Sequence, residues 1–204
     1  PELEIMSTST VSLTPKYFTS PTPGAPNAPG TDDLGPIIWQ VGQPEVQPGD
    51  QDDIVIAAHV MEAFDPVATV VLIYRVMYEP EVALAMLDDG SGADLAAADG
   101  IYTAVIPSSV SDPGEMVRWY VTADDTSGNS SRAPLFPDNF GRKQSPEYFG
   151  TVIADPSITT DLAFFQWFLE PGTEYAAQSL TGTRTSVFYL GDFYDNAFVR
   201  NRGG

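Results

Sequence analysis

The sequence has 204 residues, with 28 Asp+Glu against 9 Lys+Arg, one His and no Cys, for a formal net charge of −19. So acidic a chain lacks the Lys/Arg footprint that grips phosphate backbones or anionic headgroups, which argues against nucleic acid and a bare membrane surface as partners. The absence of Cys removes disulfides, thiol nucleophiles and cysteine zinc sites, so any metal would be hard and oxygen-bound.

Hydrophobic residues at 43% suffice for a packed core, and 17 Gly with 18 Pro in place of apolar heptads mark a turn-rich, mainly β chain. No window reaches the roughly 18 to 20 apolar residues of a membrane span, so no membrane insertion is expected. The chain begins at Pro1 with no charged-then-apolar leader, which predicts a piece of something longer.

Residues 1–35 read as the end of a preceding β unit followed by a linker. Pro1 to Leu13 is a Ser/Thr-rich stretch with weak alternation, and Pro15 to Pro36 packs six Pro and three Gly into 22 residues, which forbids helix and central strand. An extended, Pro-rich N-terminal arm follows from that density.

From 36 to 136 the pattern becomes short apolar runs of period 2, broken by Gly, Pro and Asp clusters. The runs are Ile37 to Val41, Ile54 to Met61, Thr69 to Tyr78, Val82 to Leu87, Ile101 to Ile106, Met116 to Ala123 and a weak one from Ser130 to Phe136. Seven such runs predict an immunoglobulin- or fibronectin type III-like β-sandwich. Ile54, Ile56, Ala58 and Val60 share one face of the second run, as do Val117, Trp119, Val121 and Ala123 of the sixth, and both faces are assigned to the core. His59 falls on the opposite, solvent face of its run, and Arg118, Tyr120 and Thr122 fall opposite the core in the sixth.

Residues 137–204 carry a different texture, rich in aromatics and read as a connector and the start of a second, truncated α+β unit. Asp161 to Glu170 is readable as helix or buried strand before the Pro171-Gly172 stop, and Ser186 to Arg202 as an aromatic hairpin about Gly191-Asp192. A hairpin with one short segment cannot make a stable domain alone.

Three stretches carry a family resemblance. Tyr17 to Asn27 (YFTSPTPGAPN) resembles the tail that follows lamin-tail-like or chitobiase-like modules in large secreted bacterial proteins. Asp88-Asp89-Gly90, Asp99 to Ala104 (DGIYTA) and Val117 to Asp124 (VRWYVTAD) look like the Ig-like module preceding CotH-type domains. Trp167-Phe168, Gly182 to Tyr189 (GTRTSVFY), Gly191 to Asn196 (GDFYDN) and Val199 to Gly203 (VRNRG) resemble the opening of a CotH kinase-like domain. The resemblance implies a secreted or cell-surface bacterial protein whose kinase-like part would use ATP and a divalent metal. The nucleotide-gripping lysine and metal-binding acids of that family would lie beyond Gly204, so no catalytic or cofactor-binding residue is carried over.

Candidate chemistry centres on one acidic loop. Asp88, Asp89, Asp94 and Asp99 put four carboxylates into 12 positions between two strands, which suits Ca2+ and suits equally a turn where Asp accepts backbone N–H groups and Gly supplies positive φ. The spacing is not that of an EF-hand. Two more acidic groups, Asp50/Asp52/Asp53 and Asp124/Asp125, have the composition of solvated turns. The aromatics Phe164, Phe165, Trp167, Phe168, Phe188, Tyr189, Phe193 and Tyr194 read as core before a sugar-stacking platform, and Arg184, Arg200 and Arg202 as partners of local acids such as Asp192 and Asp195 before a phosphate site.

No lysine-bearing phosphate loop, G-x-S-x-G elbow or H-E-x-x-H occurs. These observations predict a non-catalytic structural, spacer or adhesive module of a large extracellular bacterial protein, partnered by neighbouring domains or other protein subunits. The alternatives are the accessory and N-terminal part of a CotH-type kinase, and a filament or surface-layer subunit that donates a strand by β-augmentation.

Overall fold

A computed structural model of the chain describes residues 17, 24–26, 30–136, 145–160 and 162–203. The expected strand at Pro1 to Leu13 lies outside them. Eleven strands are described, and all strand pairs among them are antiparallel.

Seven of the strands follow the seven apolar runs: β1 (Ile37–Trp39), β2 (Ile54–Met61), β3 (Val67–Val76), β4 (Val82–Ala85), β5 (Ile101–Ile106), β6 (Met116–Asp125) and β7 (Ser130–Ala133). They form two sheets, β1-β2-β5 facing β4-β3-β6-β7. That is a mainly-β sandwich, and β4 belongs to it through β3, with Val71 to Tyr74 opposite Ala85 to Val82. Just past β4 the chain changes sheets. The Met86 amide still bonds the Val70 carbonyl at 2.9 Å, whereas Leu87 pairs with Thr103 of β5 at 2.8 and 3.0 Å.

Alternation selects the core, since successive side chains on a strand face opposite ways. Ile54, Ile56, Ala58 and Val60 of β2 are all buried, and so are Val117, Trp119, Val121 and Ala123 of β6, packed with Val70, Leu72 and Ile106. His59 is half-buried on the outer face, its ring 5.3 Å from that of Trp39.

β8 (Phe149–Val152) has no counterpart among the apolar runs. Its four residues, FGTV, are too short and too glycine-broken to show a period. It pairs with the first half of β6, Met116 to Trp119 opposite Val152 to Phe149, while β7 pairs with the second half, so two short strands share one edge of β6.

The last three strands make a separate sheet, β9 (Gln166–Leu169), β10 (Thr183–Tyr189) and β11 (Asp192–Val199), with β10 in the middle. The segment open to helix or strand is therefore a strand. Of the expected α content, one turn, α1 (Glu174–Ala177), is present after the Pro171-Gly172 stop. The β10–β11 turn is Leu190-Gly191, one residue earlier than expected, with φ of 52° and 92°, the double positive φ of the tightest hairpin turn.

This sheet does not stand alone. Phe168 and Phe188 close a second small core with Met116 and Val152, and Phe193 packs against it. At Gly150 a Cβ would sit 2.7 Å from Cδ1 and Cζ of Phe193, so the ring lies directly on the β8 backbone. No helix among the described residues is long and apolar enough to cross a membrane.

Candidate functional sites

The acidic loop hangs where the chain changes sheets. One carboxylate oxygen from each of Asp88, Asp94 and Asp99 lies within 4.8 Å of the others, and Asp89 is outside that group. Backbone amides take up much of this charge. Asp88 accepts from Asp99 N at 3.1 Å and Gly100 N at 2.9 Å, Asp94 from Gly90 N at 2.6 Å, Asp99 from Ile101 N at 2.9 Å and Asp89 from Ser91 N at 2.9 Å. Gly90, Gly92 and Gly100 all have positive φ. The expected turn chemistry is thus in place, and three of the four candidate calcium ligands converge.

The other acidic groups are turn and strand-end acceptors too. Asp52 takes Gly49 N at 2.9 Å, Asp53 takes Ser108 N at 2.8 Å, and Asp124 takes Thr69 Oγ1 at 3.1 Å.

A junction built around Arg118 was not legible in the sequence. On the bare sandwich Arg118 would face solvent, opposite Val117 and Trp119. It is instead 6% exposed, because the C-terminal sheet covers this part of β6. Its Nη1 lies 3.7 Å from Asp195 of β11, its Nη2 donates to the Met77 carbonyl at 2.7 Å, and its guanidinium lies 4.8 Å from the ring centroids of both Tyr78 and Tyr148.

Asp195 is itself saturated, accepting from Ser186 Oγ at 2.9 Å and from the amides of Glu147 and Tyr148 at 2.8 and 3.0 Å. Tyr78 donates its hydroxyl to the Phe168 carbonyl of β9. Burial pulls the Arg118 guanidinium below its usual range, and the adjacent Asp195 pulls it back. Burial, and then a hydrogen bond to Glu81 at 2.7 Å, push Tyr148 up to about 12.

Arg118, Asp195, Tyr78 and Tyr148 line a cleft of about 190 Å³ together with Arg75 and Arg184. Arg75 stands directly opposite Arg118 on β3. Arg184 donates to the Asn196 carbonyl at 3.1 Å and covers the Phe198 ring, so of the cationic trio it is engaged within its own sheet, while Arg200 and Arg202 are exposed. Asp195, expected as an arginine partner, pairs with Arg118.

The aromatics divide by face. Phe168 and Phe188 are core, whereas Trp167 and Tyr194 flank Val187 in one cross-strand row and are 54% and 51% exposed. Phe164 and Phe165 are also exposed, the latter stacked on Tyr189 at 4.2 Å. No family model and no curated protein matches the chain.

Proposed function

We propose that this chain is a non-catalytic structural module of a larger extracellular bacterial protein, spacing the units on either side of its sandwich. One observation carries the reading: described residues of the N-terminal arm and of the C-terminal sheet make contacts at opposite poles of the sandwich. At one pole Tyr17 pairs with Thr31 at 2.6 and 2.8 Å and sets its ring edge-on to Phe64 of the β2–β3 loop. At the other, where β3 ends and β6 begins, Arg118 and the second core lock the C-terminal sheet. A spacer needs both attachments stiff, since a free linker would not transmit orientation. Exposed Trp167 and Tyr194, on either side of half-buried Val187, supply a surface for neighbouring domains or subunits.

NMR relaxation tests this reading. The sandwich amides and those of β9 to β11 are expected to report one rotational correlation time; independent tumbling of the C-terminal sheet would reject it.

A second reading takes Gly182–Tyr189 and Gly191–Asn196 as the opening of a CotH-type kinase domain, and it draws on these two stretches forming one continuous hairpin. Its test is phosphotransfer from ATP with a divalent metal by the longer gene product, with this chain alone inactive.

A further inference from the structure

Three arginines line the cleft of about 190 Å³ between β3, β6 and the C-terminal sheet, and one of them has an acidic partner. Arg75 and Arg118 stand directly opposite each other on β3 and β6, and Arg184 comes from β10. Like charges set opposite one another across a sheet repel. Among the described residues a single ion pair reaches the three guanidiniums, from Arg118 to Asp195 at 3.7 Å. Asp195 already accepts from Ser186 Oγ and two backbone amides, so little of its charge is left for them.

Most of the arginine donors are left over. A guanidinium carries five N–H groups. Arg118 gives Nη2 to the Met77 carbonyl at 2.7 Å, Arg184 gives Nη1 to the Asn196 carbonyl at 3.1 Å, and Arg75 gives Nη2 to the Tyr78 carbonyl and meets the Tyr148 hydroxyl. The Nε atoms of Arg75 and Arg118 are buried without an acceptor, and Arg118 as a whole is 6% exposed. Charged donors buried without an acceptor are costly, which favours a bound oxygen acceptor beside them.

The neutral donors of the cleft are spent. Tyr78 and Thr185 donate their hydroxyls to the Phe168 carbonyl, Ser186 to Asp195, Tyr148 to Glu81 at 2.7 Å, and Asn196 Nδ2 to the Ser145 carbonyl at 2.9 Å. What the cleft still offers is guanidinium N–H, whose planar fork matches the oxygens of a carboxylate or a phosphate. Glu147 and Glu170 also line it. Their charge opposes a dianion, so a singly charged carboxylate suits the cleft better than phosphate at neutral pH. The volume is many times the roughly 10–15 Å³ that one water needs, which leaves room for a carboxylate on a short chain.

We infer that this cleft binds a small carboxylate through Arg75, Arg118 and Arg184, and that the ligand braces the C-terminal sheet against β3 and β6.

The test is an NMR titration of the full chain with sodium acetate, set against sodium chloride at matched ionic strength and read on the arginine Nε–H signals. Acetate is expected to shift those of Arg75, Arg118 and Arg184 saturably, with Kd of about 1 to 10 mM, and to raise the melting temperature. Arg75→Gln and Arg184→Gln each remove one fork and should weaken binding at least about tenfold. Arg200→Gln, at an exposed position outside the cleft, should leave the affinity unchanged. Absence of a saturable shift up to about 100 mM acetate, beyond that produced by chloride, overturns the site. So does an unchanged affinity in either cleft variant that folds as the parent does, or a phosphate affinity above that for acetate.

Discussion

Arg118 shows how much one side chain's role depends on what covers it. Its guanidinium is buried among Asp195, Tyr78 and Tyr148, with Nε lacking a partner and the ion pair long at 3.7 Å. Such a pair adds little net stability relative to an apolar pair, but breaking it leaves a buried charge alone. Arg118→Met is therefore expected to destabilise the protein by about 3 kcal/mol in chemical denaturation. The double variant Arg118→Met/Asp195→Asn should lose less than the sum of the two single losses, because the residues share one network.

Tyr148 gives a pH signature at the same place. Its pKa is raised from 10.0 to about 12, so the folded protein holds this proton where the unfolded chain releases it. The stabilisation is complete below pH 10 and is lost as pH rises towards about 12. Unfolding free energy measured between these limits should fall less steeply in Tyr148→Phe than in the parent, and phenolate absorbance should show one late-titrating tyrosine fewer in the variant.

Among elements, β8 decides how the C-terminal sheet attaches. The sequence FGTV has glycine where the Phe193 ring rests on the backbone. Gly150→Ala inserts a methyl into that contact, forcing the ring or the strand to move. The expected cost is about 1 to 3 kcal/mol, read as a lower melting temperature, and amide exchange should quicken in β9 to β11 more than in β2 and β5. Equal effects on all strands would mean that the two cores unfold as one unit.

At the scale of the molecule, charge is unevenly spread. Residues 36 to 135 hold 16 acids and 3 bases, a net −13 of the −19. Self-repulsion of this size weakens the compact state and is screened within about 8 to 10 Å at moderate salt. Raising NaCl from about 10 mM to about 500 mM should therefore raise the melting temperature. A flat response would show that local pairing, in the loops and at the Arg118 junction, already neutralises the field.

Features that depend on neighbours along the chain were readable from the residues alone. Period-2 alternation located all seven sandwich strands and the buried faces of β2 and β6, because a strand's facing is set residue by residue. The Asp88 to Asp99 loop was legible for the same reason, its acids and glycines forming one local turn system. The remaining features come from packing between segments far apart in the chain. β8 is a strand because the edge of β6 was open to it, Arg118 is buried because a later sheet lies over it, and Arg184 joins Arg75 and Arg118 in one cleft because that sheet carries it there. Each depends on contacts between segments distant along the chain, and no local period or spacing encodes those.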